Sequence, residues 1–330
     1  MCSSDLVDVC DSNNFIDKIE FMPLFKILGE HHKVIAAVAP SIVGQFGDNV
    51  TVGQLRTSLK ALGFADMVEV AFFADMLTIK ESAEFNRHIQ ESSDFVLSSC
   101  CCPIWVAMIK KQHRDLIKHI TPSVSPMIAA GRVIKKIYPE CYVVFIGPCV
   151  AKKSEAKLED LKGSIDFVLT FSELSDIFSA LNIKPEGYHE ELSTQYTSKG
   201  GRIYGRAGGV SWAVKDAVSH MFPEKAGYFT SKQASGGKEC KLLLEKVSNG
   251  NLDASFLEGM GCHGGCVGGP KTIISADKGN KAVNDYGEDS KIQISTDSKI
   301  MKEFLNALDI DGIEDFIDDD KVNIFERKME

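Results

Sequence analysis

The sequence predicts an α/β fold in two lobes, each a mainly parallel twisted sheet flanked by helices, with a site in the crevice between the lobes. Two observations predict it. Short apolar runs alternate with segments of helical periodicity from Val34 to Leu257, the rhythm of parallel sheets. Each of three cysteine-bearing stretches also begins where such a run ends, which is where open α/β sheets bind ligands. The 330 residues, 44% hydrophobic and 25% charged, suffice for the cores of two lobes.

Residues 1–14 are polar, and Cys2 and Cys10 among them have no closely spaced partner. Phe15 to Leu28 has helix-like spacing. Residues 1–30 are expected to form an N-terminal extension and 31–330 the two-lobed domain. Val34–Val38 reads as a buried strand, broken by Ala39-Pro40-Ser41 and followed by a helix that ends at Gly47. Val52 to Leu62 is helical, with Gly63 as its stop. Met67–Phe73 reads as a strand and Asp75–Gln90 as a helix. Asp94–Leu97 is a short strand that enters the first cysteine stretch, and Ile104–His119 a helix. Pro122–Ser125 breaks the chain before a helix over Met127–Ile137. Cys141–Ile146 is a β-branched and aromatic strand, and Ile165–Thr170 another, with the helix Ser172–Leu181 behind it. Residues 184–203 read as a long connection. Helices follow from Gly208-Gly209 to Met221 and from Lys238 to Val247, then a strand over Leu252–Leu257. After Pro270 the chain is polar and loop-rich, apart from an amphipathic helix near Met301–Leu308 and an acidic stretch around Asp315–Lys321.

The net charge of -9 argues against a nucleic-acid partner, because phosphate neutralisation needs a basic surface. No apolar run approaches the roughly 20 residues of a membrane span. The start, Met1-Cys2-Ser3-Ser4-Asp5, has neither a basic nor an apolar signal segment, so the cytoplasm is the expected compartment. There, clustered thiols serve as ligands or catalysts more often than as disulfides.

The thiols fall in three places: Cys100-Cys101-Cys102-Pro103-Ile104-Trp105, Gly147-Pro148-Cys149, and Met260-Gly261-Cys262-His263-Gly264-Gly265-Cys266. Four thiolates suit a cubane iron–sulfur cluster and also structural zinc. One C-x3-C pair joined by two isolated cysteines is not a zinc-ribbon layout. The glycines around Cys262 and Cys266 allow a loop to wrap a bulky inorganic group and aim N–H donors at it.

These stretches resemble the three cluster-binding motifs of the [FeFe]-hydrogenase catalytic domain: Thr-Ser-Cys-Cys-Pro-x-Trp, Met-Pro-Cys-x-x-Lys-x-x-Glu and Glu-x-Met-x-Cys-x-x-Gly-Cys-x-x-Gly-Gly. They stand in the family's order, and the resemblance runs from about Val34 to Pro270, with the triple cysteine and Gly-Pro-Cys closer to a divergent branch. It implies an H-cluster, a [4Fe-4S] cubane joined by one cysteine to a two-iron unit carrying CO, CN⁻ and a bridging dithiolate. It further implies Cys102, Cys149 and Cys262 as cubane ligands and Cys266 as the bridging ligand. Cys101 would relay protons, Lys152 would hydrogen-bond a cyanide, and Met260 would pack on the two-iron unit. Ala39, Pro40 and Ser41 would line its other side, with Ser41 able to donate to a cyanide. The family's proton route maps onto Cys101, Glu81, Thr121, Glu84 and His88. Spacing adds that Glu81, Glu84 and His88 share one helix face, which in an ordinary protein is a solvated one. Two positions depart from the pattern: Gly147 where a methionine is usual, and Met127 where a glutamine is common.

The resemblance implies an enzyme interconverting protons and electrons with H2, an electron carrier of ferredoxin type or a redox partner subunit, and maturation proteins that install the two-iron unit. No C-x2-C-x2-C run precedes Val34, so accessory clusters are not expected. A low-turnover hydrogen sensor and a Nar-type cluster assembly factor are the rival readings. Lys110, Lys111, Arg114 and Lys118 form a basic group that could dock an acidic carrier or simply be solvated. Tyr204-Gly205-Arg206-Ala207-Gly208-Gly209 lacks the lysine of a phosphate loop and reads as a turn lining the site. Cys141, Cys240 and Cys100 read as buried structural thiols, and His263 as exposed.

Overall fold

The computed structural model describes residues 19–98, 100, 102–193, 197–318 and 324–329. In chain order its principal elements are α1 (Phe21–Gly29), β1 (Val34–Val38), α2 (Val52–Ala61), β2 (Asp66–Glu69), α3 (Val70–His88), β3 (Val96–Leu97), α4 (Pro103–Gln112), α5 (Pro126–Ile137) and β4 (Tyr142–Gly147). Then come α6 (Ala151–Glu155), β5 (Phe167–Thr170), α7 (Phe171–Ala180), α8 (Lys199–Ile203), α9 (Gly209–Met221), β6 (Ser231–Ser235), α10 (Gly237–Ser248), β7 (Phe256–Met260), α11 (Ala276–Glu288) and α12 (Lys299–Asn306).

Two sheets organise the molecule. One has the order β2-β1-β4-β5 and the other β3-β7-β6, and every pair in both is parallel. The strands of the first sheet are buried along almost their whole length, as a parallel sheet covered by helices on both faces requires. Around it lies the larger core, which includes Val34–Val38, Phe72, Phe85 and Met127. Leu24 and Leu28 of α1 are buried in this same core. A second, smaller core packs α4 and α10 against the other sheet through Leu97, Trp105, Ile109, Leu244 and Leu257.

Several expected elements differ. The apolar run Met67–Phe73 is a strand only to Glu69, and α3 starts at Val70. That helix is buried all round from Val70 to Phe85, so its sequence is apolar on every face and shows no helical stripe to separate it from a strand. The helix expected after Pro40 is a single 3-10 turn, Pro40–Ile42. The one expected over Ile104–His119 is α4 followed by a separate 3-10 segment, Arg114–His119. Residues 184–203 contain α8, and the stretch after Pro270 contains α11, whose Val283 packs with Val267 and Ile203. The strand expected at Leu252–Leu257 is β7, displaced to Phe256–Met260.

Candidate metal centre and proton route

Register decides which loops meet. β1 pairs with β4 with Val38 opposite Ile146, so Pro40-Ser41 and Pro148-Cys149 leave the first sheet side by side. β3 pairs with β7 with Leu97 opposite Leu257, which sets the triple-cysteine loop beside the loop carrying Cys262 and Cys266. The two pairs of loops then touch: Lys271 N donates to Pro148 O at 3.1 Å. Cys102 is the N-cap of α4, with Pro103 in its first turn, and its Sγ accepts from Gly261 N at 3.3 Å. Trp105 locks this corner. Its Nε1 donates to Ser98 O at 2.9 Å, and its ring lies where a Cβ on Gly259 would stand, 2.0 Å from Cε3. Gly265, at φ +91°, turns the last loop so closely against Met260 and Ala207 that no side chain fits.

Cys102 and Cys149 lie deep enough that burial raises both thiols, Cys149 to about 12. Each also feels the charge of Cys266, and Cys149 that of Cys102, so three of the four expected ligands share one electrostatic neighbourhood. Cys262 and Cys266 are partly exposed. Among the described residues, no three His, Cys, Asp or Glu side chains are close enough to hold a single metal ion. Thiols brought from separate loops into one neighbourhood are a donor set that an iron–sulfur cluster can use.

Beside the thiols is a narrow pocket lined by Pro40, Ser41, Met127, Phe145, Cys149, Lys152, Tyr204 and Cys266 among others. Ser41 Oγ is buried without a hydrogen-bond partner, which leaves a donor free for a group in the pocket. Lys152 donates to Glu155 Oε2 at 2.7 Å, and both are buried. A side chain at Gly147 would strike the ring of Phe145, 2.5 Å from its Cε1. The room left by the missing methionine is therefore occupied by an aromatic ring two residues back on the same strand face. Met260 is buried against Gly265 and is not among the residues lining this pocket. Tyr204 and Gly205 do line it, and Val267 N donates to Gly205 O, so the Gly-rich turn belongs to the site as expected.

The carboxylates of α3 are not on a solvated face. Glu81 is fully buried, and Thr121 Oγ1 donates to its Oε1 at 2.9 Å. Burial pushes Glu81 up to about 7, against the pull of the Ser123 and Thr121 hydroxyls. Thr121 is placed by the second sheet, since its N–H donates to Leu97 O at 3.0 Å. One turn beyond Glu81, Glu84 is equally buried, and its Oε1 accepts from Lys80 Nζ at 2.9 Å. His88 reaches the surface, but its Nδ1 is hydrogen-bonded to the Glu84 backbone carbonyl at 2.9 Å. Cys101, the expected relay, lies outside the described residues, as do Cys2 and Cys10.

Residues 32–270 match the family "Iron only hydrogenase large subunit, C-terminal domain". The chain belongs to this family. It is 28% identical over 283 residues to Iron hydrogenase 1 of Clostridium pasteurianum, covering 72% of this chain and 49% of that protein, so it spans about half of that relative's length. It is also 25% identical over 308 residues to a cytosolic Fe-S cluster assembly factor, narfl, of Danio rerio, covering 76% of this chain and 75% of the other. A variant of the [FeFe]-hydrogenase HydA1 from Chlamydomonas reinhardtii shares the fold, with a TM-score of 0.70 at 21% identity, over 86% of this chain and 93% of the other.

This iron-only hydrogenase family member carries site residues that sequence reasoning passed over. Cys100 is buried as expected, yet its Sγ lies 3.0 Å from the hydroxyl of Tyr204, which lines the pocket. Glu258 accepts from the N–H groups of Gly208 and Ser211 and so fixes the N-terminus of α9. Lys80 looks like a surface lysine in sequence but has no exposed area. A signal for Phe145 was available, since residues two apart on a strand share a face. None marked the burial of Lys80, whose Phe316 and Glu326 partners are more than 200 positions away. Cys141, Cys240 and His263 are placed as expected: the two thiols are buried, and the histidine is exposed.

Proposed function

We propose that this protein interconverts protons and electrons with H2 at an H-cluster held between the two lobes. The observation that carries the reading is Glu81, a fully buried carboxyl whose Oε1 accepts from Thr121 Oγ1 at 2.9 Å and which burial pushes up to about 7. Burying an ionisable carboxyl costs stability, and carboxyls so perturbed beside a pocket are candidates for proton transfer. Cys102, Cys149, Cys262 and Cys266 would hold the [4Fe-4S] part, with Cys266 shared with the two-iron unit, and the unpaired Ser41 hydroxyl and Lys152 would face its cyanide ligands. The bound group supplies the redox chemistry and the site at which H2 is made or split.

The chain's own part is to keep the pocket dry and deliver protons. Met127, Phe145 and Pro40 exclude water from one side. Cys101 would hand protons between the pocket and Glu81, Thr121 holds the Glu81 carboxylate in position, and Glu84 would continue the route outward. The exposed Lys111, in the last turn of α4, and Arg114 and Lys118, just beyond it, would receive an acidic ferredoxin-like carrier. No helix among the described residues is long and apolar enough to cross a membrane. Phe145 over Gly147 favours a second reading, a hydrogen sensor with the same site and low turnover.

Anaerobic infrared spectroscopy after maturation should show CO and CN⁻ stretches, and their absence overturns the H-cluster. Given the bands, H2 evolution with a reduced viologen that falls at least 100-fold in Cys101→Ala supports the enzyme. Bands without turnover support the sensor, and a bound cluster without bands supports an assembly role.

A further inference from the structure

The solvent end of the proton route has a better-built candidate than His88. Lys80 Nζ has no exposed area and bonds two carboxylates at once, Glu84 Oε1 at 2.9 Å and Glu326 Oε1 at 2.8 Å. The Glu326 side chain is 21% exposed, so this three-residue chain runs from the interior to water. The backbone holds Glu326 there. Residues 324–327 lie antiparallel to 122–124, with Val124 N donating to Phe325 O at 2.9 Å and Arg327 N to Pro122 O at 2.8 Å. Arg132 Nη1 ties down the carbonyl of Glu326 at 2.6 Å. The stretch so paired follows Thr121 directly, which ties the outer segment to the hydroxyl that holds Glu81.

His88 is less suited to the task. Its Nδ1 is bonded to a backbone carbonyl, and Glu84 Oε2, 3.4 Å away, has no hydrogen-bond partner. A nitrogen whose proton is held by a carbonyl is not free to pass it to the carboxylate beside it.

We propose that Glu326, acting through Lys80, is the outlet of the proton route, so that protons travel between solvent and Glu81 by way of Glu326, Lys80 and Glu84. Inward transfer balances. Glu326 takes a proton from water and gives it to Lys80 as the ammonium of Lys80 gives one to Glu84, so that one proton moves inward and Lys80 ends as it began. The proposal rests on the reading of a proton-delivering site, and its test is built to read the outlet separately.

The first readout needs no metal centre. The protonated Glu81 carboxyl, assigned by the infrared C=O band that disappears in Glu81→Gln, is followed on rapid mixing of the full chain into D2O at pH 6. Glu326→Gln, whose amide oxygen still accepts from Lys80, should slow the deuterium shift of this band at least tenfold, and Glu326→Asp should restore part of the rate. H2 evolution by the matured protein should fall by a similar factor in Glu326→Gln. Exchange at the wild-type rate in Glu326→Gln, or a larger loss in His88→Ala than in Glu326→Gln, overturns the proposal. If maturation yields no CO or CN⁻ bands, the hydrogen chemistry fails while slowed exchange in Glu326→Gln still supports the outlet.

Discussion

Glu81 makes the stability of this protein depend on pH in a direction opposite to that of most carboxylates. Its folded-state value rises from the ordinary 4.5 to about 7, so between those limits the folded protein holds a proton that the unfolded chain has lost. Stability from this group is therefore complete below about pH 4.5 and drains away as pH rises toward 7. At 1.36 kcal/mol per pKa unit the whole span is worth roughly 3 kcal/mol. Glu81→Gln puts a neutral amide in the same place, and Thr121 can still donate to its oxygen. Unfolding in guanidinium chloride, measured on the unmatured chain from pH 5 to pH 8, should show the variant gaining roughly 2–3 kcal/mol on the wild type across that range. Asp75, another buried carboxyl pushed up to about 7 by burial, is present in both proteins and drops out of the difference. A hydroxyl bond lost in the variant would move its whole curve without tilting it. A difference that stays flat to within about 0.5 kcal/mol from pH 5 to pH 8 would refute the assignment of a titrating, buried Glu81, and with it the argument for function.

Three further outcomes are expected. Gly259→Ala forces a Cβ into the ring of Trp105 and should cost about 3 kcal/mol or more, seen as a lowered thermal midpoint, with partial recovery in the double variant with Trp105→Leu. Lys152→Met removes the close partner of buried Glu155, leaving Arg327 3.7 Å away among the described residues, and should cost about 3–5 kcal/mol in denaturant titrations. Adding Glu155→Gln should recover most of that loss. Gly147→Met alone should destabilise by about 1–3 kcal/mol because Phe145 already fills the space, whereas Phe145→Ala with Gly147→Met should fold well and raise viologen-driven H2 evolution several-fold.

Local pattern carried much of the architecture. Val34–Val38 and Tyr142–Gly147 are β-branched, apolar and bounded by proline, and the cysteines at strand ends pointed to the crevice where the structure brings Cys102, Cys149 and Cys266 together. What stayed hidden was set by distant partners. β6 reads Ser-Lys-Gln-Ala-Ser, and only Ala234 is buried, so an edge strand with one apolar contact left no alternation to see. α11 contains Gly279 and Gly287 and has low intrinsic helix preference. It is helical because Gly279 lies against Val267 and Gly287 against Ile203, contacts that no window of sequence displays. Likewise, Glu81, Glu84 and Lys80 have the spacing of an exposed ion-pair face, and only the helices and the 324–327 segment around α3 bury them.

The four cysteines are divided unequally between the sheets. Cys102, Cys262 and Cys266 follow strands of the three-stranded sheet, while Cys149 follows β4 of the four-stranded one. A group gripped by all four is a staple across two sheets that also meet through Phe85 of α3 packed on Phe229 and on Phe256 of β7. Its binding free energy would add to the resistance of the lobes to separating, by mass action on the closed arrangement alone. Heating the loaded protein should then melt both lobes in one transition, whereas removal of the bound group should let the smaller lobe, with its two-residue β3, open first and at lower temperature.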